Sequence, residues 1–218
     1  MSPGAALRAA LGDLYRQSWR FFLLNAALSA FVVPVAVAGL WLPPVWLLLF
    51  VAGPLAAALM HCAVVAAVTD DLRLTDALTG LRLHWRRGLG LGAVLVAGTA
   101  AGVHAISFYA GKGALVLAVV GVYLLFVFGV FQLMLWPLAV FERGFPIRRV
   151  AAEAARTLLT RPLQALVLGL ALMVVNLAGI VAAVMPFLTL TIAYSFLAAV
   201  HFVLPPTSTL GVQNRWPA

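Results

Sequence analysis

The chain has 218 residues, of which 65% are hydrophobic and 9% charged, against about 25% charged residues in an ordinary soluble domain. Six acidic and fourteen basic side chains cannot clothe a globule of this size in water-facing charge, which excludes a soluble domain, a disordered chain and a coiled coil. Cys62 is the only cysteine, so an intrachain disulfide and a cysteine-based zinc site are excluded as well.

Residues 1–20 have helical periodicity. Leu7, Leu11, Leu14 and Tyr15 share one face, with Arg8, Asp13, Arg16 and Arg20 around the other. From Phe21 to Thr69 there is no charged residue, a stretch more than twice the ~20 residues that cross a hydrocarbon core. It must fold back, and Pro43-Pro44 supplies the break, since proline removes a donor and disfavours helix in the residue before it. Two spans are predicted, 21–42 and 45–68. Ala36-Val37-Ala38 has the small-residue pattern of a signal-peptidase site, but the structured segment ahead of it argues that the first span is retained.

A second amphipathic helix comes next. Leu74, Leu78, Leu81 and Trp85 make its apolar stripe, Asp76, Arg86 and Arg87 lie opposite, and Thr75 is the expected N-cap. Spans are then predicted over 88–109 and 114–141, separated by Lys112. The third amphipathic segment carries Ile147, Val150, Ala151, Ala154 and Leu158 on one face and Arg149, Glu153 and Arg156 on the other. Pro162–Asn214 is again uncharged. With a break at Pro186 it yields spans over 163–184 and 187–204, and residues 205–218, opening with Pro205-Pro206, form a flexible tail. The expected fold class is therefore an all-α membrane protein, a single six-span domain over 1–204 with three cytoplasmic amphipathic helices lying in the interface. Each amphipathic helix precedes a helical hairpin, giving three similar units.

The basic residues orient this map. All thirteen arginines fall before the first span, between spans two and three, between four and five, or in the tail, and only Lys112 falls on the other side. Excess Lys and Arg marks the cytoplasmic face, so both termini are expected there. Such a collar attracts anionic lipid headgroups. It offers no basic domain clear of the membrane, which argues against a nucleic-acid partner.

Chemistry within the spans is sparse. No Asp, Glu, Lys or Arg lies inside any of the six, which argues against carriers that couple through a buried carboxylate. The intramembrane polar residues are Asn25, His61, His104, Gln132, Asn176 and His201, with Tyr194 and Ser195. His61 and His201 both fall toward the cytoplasmic half, where they could meet as a pair. Without further ligands they make no metal site, and no metal or cofactor is expected. Gly88, Gly90, Gly92 and Gly98 would let the third span approach another backbone closely. No Gly-x-Ser-x-Gly, phosphate-cradling loop or His-Glu-x-x-His is present, and the six acidic residues all lie in cytoplasmic segments, so enzymatic activity is not expected. Glu153-Ala154-Ala155 matches only the opening of the loop by which ATP-binding-cassette permeases engage their ATPase. Leu159 stands where that motif has glycine.

The run from Asp13 to Phe21, with Leu24-Asn25, resembles the opening of the YesL-type bacterial integral membrane proteins. Gly53-Pro54, the segment Asp76–Arg82 with Trp85-Arg86, Trp136-Pro137 and Arg161-Pro162-Leu163 come in the order of that family, over about residues 8–204. The family is a domain of unknown function associated with carbohydrate uptake. The resemblance implies an accessory or permease-like component with transporter subunits as partners, and it transfers no catalytic residues. Cytoplasmic docking or interfacial anchoring is then expected of Asp13, Arg16, Trp19, Arg20, Asp76, Arg82, Trp85, Arg86 and Arg161. The rival expectations are a stand-alone channel for a small uncharged solute and a structural protein that organises lipid.

Overall fold

The computed structural model describes residues 1–69, 71–142, 144–181 and 190–204. Among these the chain is helical, with no strand: α1 (Pro3–Arg16), α2 (Ser18–Trp41), a 3-10 helix (Pro43–Ala52), α3 (Gly53–Thr69), α4 (Leu74–Gly111), α5 (Leu115–Phe141), α6 (Ile147–Thr160), α7 (Pro162–Val181) and α8 (Ile192–Val203). Five segments are long and apolar enough to cross a bilayer: Ser18–Gly39, Pro44–Thr69, Leu74–Gly111, Leu115–Phe141 and Pro162–Gly179. Ile192–Val203 is a shorter apolar helix of 12 residues. The expected break at Pro186 and the tail 205–218 lie outside the described residues.

Pro43-Pro44 does interrupt the first apolar stretch, but the chain continues from there as a ten-residue 3-10 helix that turns into α3 at Gly53. At about 2.0 Å per residue this segment is longer and thinner than an α-helix of the same residues. It lies against α2, where the Trp46 ring occupies the space a side chain on Gly39 would need.

The second amphipathic segment departs most from expectation. It is no separate interfacial helix. Residues 74–111 form one helix of 38 residues, about 57 Å long, whose first half cannot lie flat while its second half spans. Nothing between Trp85 and Gly98 forces a break, and α3 packs antiparallel along the first half. The stripe Leu74, Leu78 and Trp85 faces outward, Leu78 being 59% exposed, while the buried residues are Gly80, His84, Gly88, Leu91 and Gly92. Close packing within a membrane rewards small residues over large apolar ones, and here the small face won. Arg73, not Thr75, occupies the N-cap position, and its backbone N–H donates to the Asp76 carboxylate at 2.8 Å.

The crossing of α3 and α4 is backbone against backbone. A methyl group on Gly88 would sit 2.8 Å from Pro54 Cα and 2.9 Å from the Gly53 carbonyl oxygen, and one on Gly92 only 2.7 Å from the Phe50 carbonyl oxygen. Of the glycines expected to serve close approach, Gly90 faces open space and Gly98 meets the Phe128 ring instead. Toward the helix start, Gly80 leaves room for the His61 ring.

α1 packs along α8. Tyr194 Oη donates to the Leu7 carbonyl at 3.2 Å and Asp13 meets His201 at 2.6 Å. The two contacts advance together along both chains, so α1 and α8 run side by side in the same sense. The face α1 buries is Ala6, Ala10, Asp13 and Leu14, while Leu11 and Tyr15 are exposed. Only α6 keeps its expected faces, with Val150 and Ala154 buried and Arg149, Glu153 and Arg156 exposed, although Ile147 is turned outward.

Replacing Gly88 by leucine should destabilise the bundle by about 1–3 kcal/mol, the usual cost of overpacking, lowering the melting temperature in detergent. Gly90→Leu, at a position where an added Cβ meets nothing within 4 Å, should leave it unchanged.

Candidate functional site

The charged residues expected on the cytoplasmic face gather where α1, α2, α3 and α8 meet. Asp13 is its centre. Only 5% exposed, it accepts from Arg16 Nη2 through one carboxylate oxygen and pairs with His201 Nε2 through the other, both at 2.6 Å. Burial by itself would raise the Asp13 pKa, but the hydrogen bonds and charges of His201 and Arg16 outweigh it and hold the carboxyl below its ordinary 3.8. The pair borders an open cleft of about 590 Å³ walled by Ala9, Gly12, Tyr15, Arg16 and Val68.

Further along the chain, Arg20 fastens α2 to the loop before α4. Its Nη1 lies 3.3 Å from Asp71 and 3.2 Å from the Gln17 side-chain oxygen, and Asp71 in turn faces Arg73 at 3.7 Å. Trp19 is exposed beneath the Arg20 guanidinium, 5.4 Å from its ring centre. Trp85 and Arg86 repeat that arrangement at 5.2 Å.

The expected set therefore divides. Asp13, Arg16, Trp19 and Arg20 come together, and Asp76 starts α4 nearby by capping it. Arg82, Arg86 and Arg161 remain exposed, and among the described residues no carboxylate pairs with them.

The intramembrane polar residues do not converge. His61 packs on His84 rather than on His201, with ring centres 5.3 Å apart and planes at 45°. His201 is taken by Asp13, on the other side of α3. Asn176 donates through Nδ2 to the Leu172 carbonyl at 2.7 Å and to Ser195 Oγ at 2.8 Å, tying α7 to α8. Asn25 is fully buried in α2, and His104 is exposed on α4. Gln132, 4% exposed, has no hydrogen-bond partner for either amide atom among the described residues. Among the described residues no group of three His, Cys, Asp or Glu side chains is placed to hold a metal ion.

Sequence reasoning missed Arg87. Its guanidinium donates to the carbonyls of Ala139 at 2.6 Å, Glu142 at 3.2 Å and Phe145, closing the C-terminal end of α5. A cation there satisfies orphan carbonyls and the negative end of the helix dipole. A cap contributed from a different helix leaves no mark in local spacing, so the sequence carries no signal for it.

Replacing Asp13 by asparagine should lower stability by about 3 kcal/mol at neutral pH, the order expected for breaking a buried pair. A carboxyl whose folded pKa is depressed contributes stability above its unfolded value and loses it as pH falls through the folded one. The gap in melting temperature between the native chain and Asp13→Asn should thus hold above about pH 5 and close as pH falls below 3.8.

No protein-family model, curated protein or solved structure matches this chain, so its own residues carry the functional argument.

Proposed function

We propose that the chain is a six-span protein of a bacterial plasma membrane, with both termini cytoplasmic, that serves a transport system as an accessory component. Its cytoplasmic face docks onto a permease or its ATPase, and carbohydrate uptake is the setting that the resemblance to YesL-type proteins implies. The observation that carries this reading is the dispersal of the intramembrane polar groups. A solute pathway needs polar side chains from several spans along one lumen. Here His61–His84, Asn176–Ser195 and Asp13–His201 are spent in separate pairwise contacts, and Asn25, His61 and Gln132 do not border the cleft beside Asp13. Pairwise contacts of that kind between helices assemble a scaffold rather than a conduit.

The docking surface is the part of the collar that internal contacts leave over: Arg82 and Arg86 on α4, Arg148, Arg149 and Arg156 on α6, and Arg161 at the start of α7. All are exposed and none is paired with a carboxylate among the described residues. The same surplus supports a second reading, a protein that gathers anionic lipid, since each exposed cation near such a surface contributes about 1 kcal/mol.

Gentle extraction from the native membrane should recover a transporter subunit at constant ratio. Changing Arg82, Arg86, Arg149 and Arg156 together to glutamine should then reduce that companion at least fivefold while membrane yield stays constant. A clean preparation with no companion contradicts the accessory reading. Solute flux through vesicles holding the purified chain alone would favour a channel, and salt-sensitive preference for anionic vesicles without either would favour lipid organisation.

A further inference from the structure

A second cavity, of about 290 Å³, lies between α5, α7 and α8, bordered by Gly129, Leu133, Gly169, Met173, Asn176 and Ser195. Its volume is near the lower end of the ~300–1,000 Å³ typical of small-molecule sites. No charged residue borders it, and the wall is apolar except for the Asn176 amide and the Ser195 hydroxyl. Met173 is 49% exposed, and along a membrane-crossing helix an exposed flank faces lipid, so the cavity opens sideways into the bilayer.

The hydrogen bonds of its polar wall specify what it can accept. Both protons of Asn176 Nδ2 are committed, one to the Leu172 carbonyl and one to Ser195 Oγ. The amide atom facing the Leu172 carbonyl must be the nitrogen, because two oxygens cannot share a hydrogen bond without a proton. The Ser195 hydroxyl proton goes to the Thr191 carbonyl at 2.8 Å. Every donor of the pair is therefore used inside the protein. The capacity left is for accepting only: Asn176 Oδ1, which no described residue supplies with a donor and which is not sealed from the surrounding space, and the second lone pair of Ser195. In a low-dielectric setting an acceptor left without a donor is costly. The wall thus selects for an uncharged apolar molecule that brings one donor, and against one that brings only acceptors.

We propose that this cavity binds a neutral lipid through its hydroxyl group, the chain lying along Gly129, Leu133 and Gly169 and the hydroxyl donating to Asn176 Oδ1. Asn176 is about 21 Å along α7 from its start at Pro162, which places the hydroxyl below the far headgroup layer of a ~30 Å core, within reach of a lipid from that leaflet. A phospholipid headgroup would bring its charge to a wall with no counter-charge. An uncharged lipid brings none.

The test uses the purified full chain in lipid nanodiscs and a long-chain alcohol carrying a terminal photoreactive diazirine, with its methyl ether as the donor-free counterpart. Labelling by the alcohol should exceed labelling by the ether about fivefold, the worth of one net hydrogen bond, and should map to peptides from α5, α7 or α8. Gly129 borders the cavity and a Cβ there meets nothing within 4 Å, so Gly129→Leu adds bulk at the cavity wall. It should leave the melting temperature unchanged and abolish the labelling. Competition by unlabelled diacylglycerol or unlabelled fatty alcohol then separates a glycerolipid source from a single-chain one. Equal labelling by alcohol and ether, labelling that neither competitor reduces, or labelling that survives Gly129→Leu would overturn the proposal. The alcohol–ether comparison needs no variant and decides the matter even if Gly129→Leu fails to fold.

Discussion

The approach of α3 to α4 sets the geometry of the rest. With Gly53 on one helix and Gly88 and Gly92 on the other, the backbones touch where no side chain fits. In lipid, where apolar side chains gain little by leaving one apolar medium for another, such van der Waals contact is the main source of helix association. It also holds the first half of α4 upright beside α3, which is why an amphipathic segment continues straight into a span. From that position Arg87 reaches across to the carbonyls ending α5, which locates α5 and the corner leading to α6. The opposite flank of α3 receives α8, and α8 carries α1.

Polar groups then act as local fasteners, each at one seam. His61 and His84 pack beside the glycine crossing, Asn176 and Ser195 join α7 to α8, and the Asp13–His201 pair joins α1 to α8 across 188 positions of sequence. Charge is handled by the same economy. Six acidic residues cannot neutralise fourteen cations, and those that bridge elements, Asp13 and Asp71, serve α1, α2, α8 and the loop before α4. The arginines of α6 and of the exposed side of α4 are left to whatever the protein meets outside itself.

Much of the architecture was legible from composition and the arrangement of charge. Long uncharged stretches announced membrane-crossing helices, Pro43-Pro44 announced the interruption between the first two, and Gly88 and Gly92 announced a close crossing. Side-chain partners were not legible, for identifiable reasons. Asp13 looks solvent-facing by helical periodicity alone, because its charge is acceptable inside only through a histidine near the far end of the chain. The stripe Leu74–Leu78–Leu81–Trp85 is the larger apolar face of its segment, yet in a bilayer the larger apolar face can be left to lipid and the smaller one buried. His61 and His201 point to one another by depth, but α3 stands between their environments, and depth along a span says nothing of rotation about it.

The central claim is that the surplus arginines of the collar lie on one side of the membrane, without carboxylate partners among the described residues, while the α4–α5 turn lies on the other. The most direct measurement is labelling of single-cysteine variants by a membrane-impermeant thiol reagent in sealed vesicles of known orientation. Cys62, buried in α3, is first replaced by alanine. Arg82→Cys, Arg149→Cys and Arg156→Cys should react only when the cytoplasmic face is outside, and Lys112→Cys only when it is inside. Reaction of any collar position from the same side as Lys112→Cys would contradict the account.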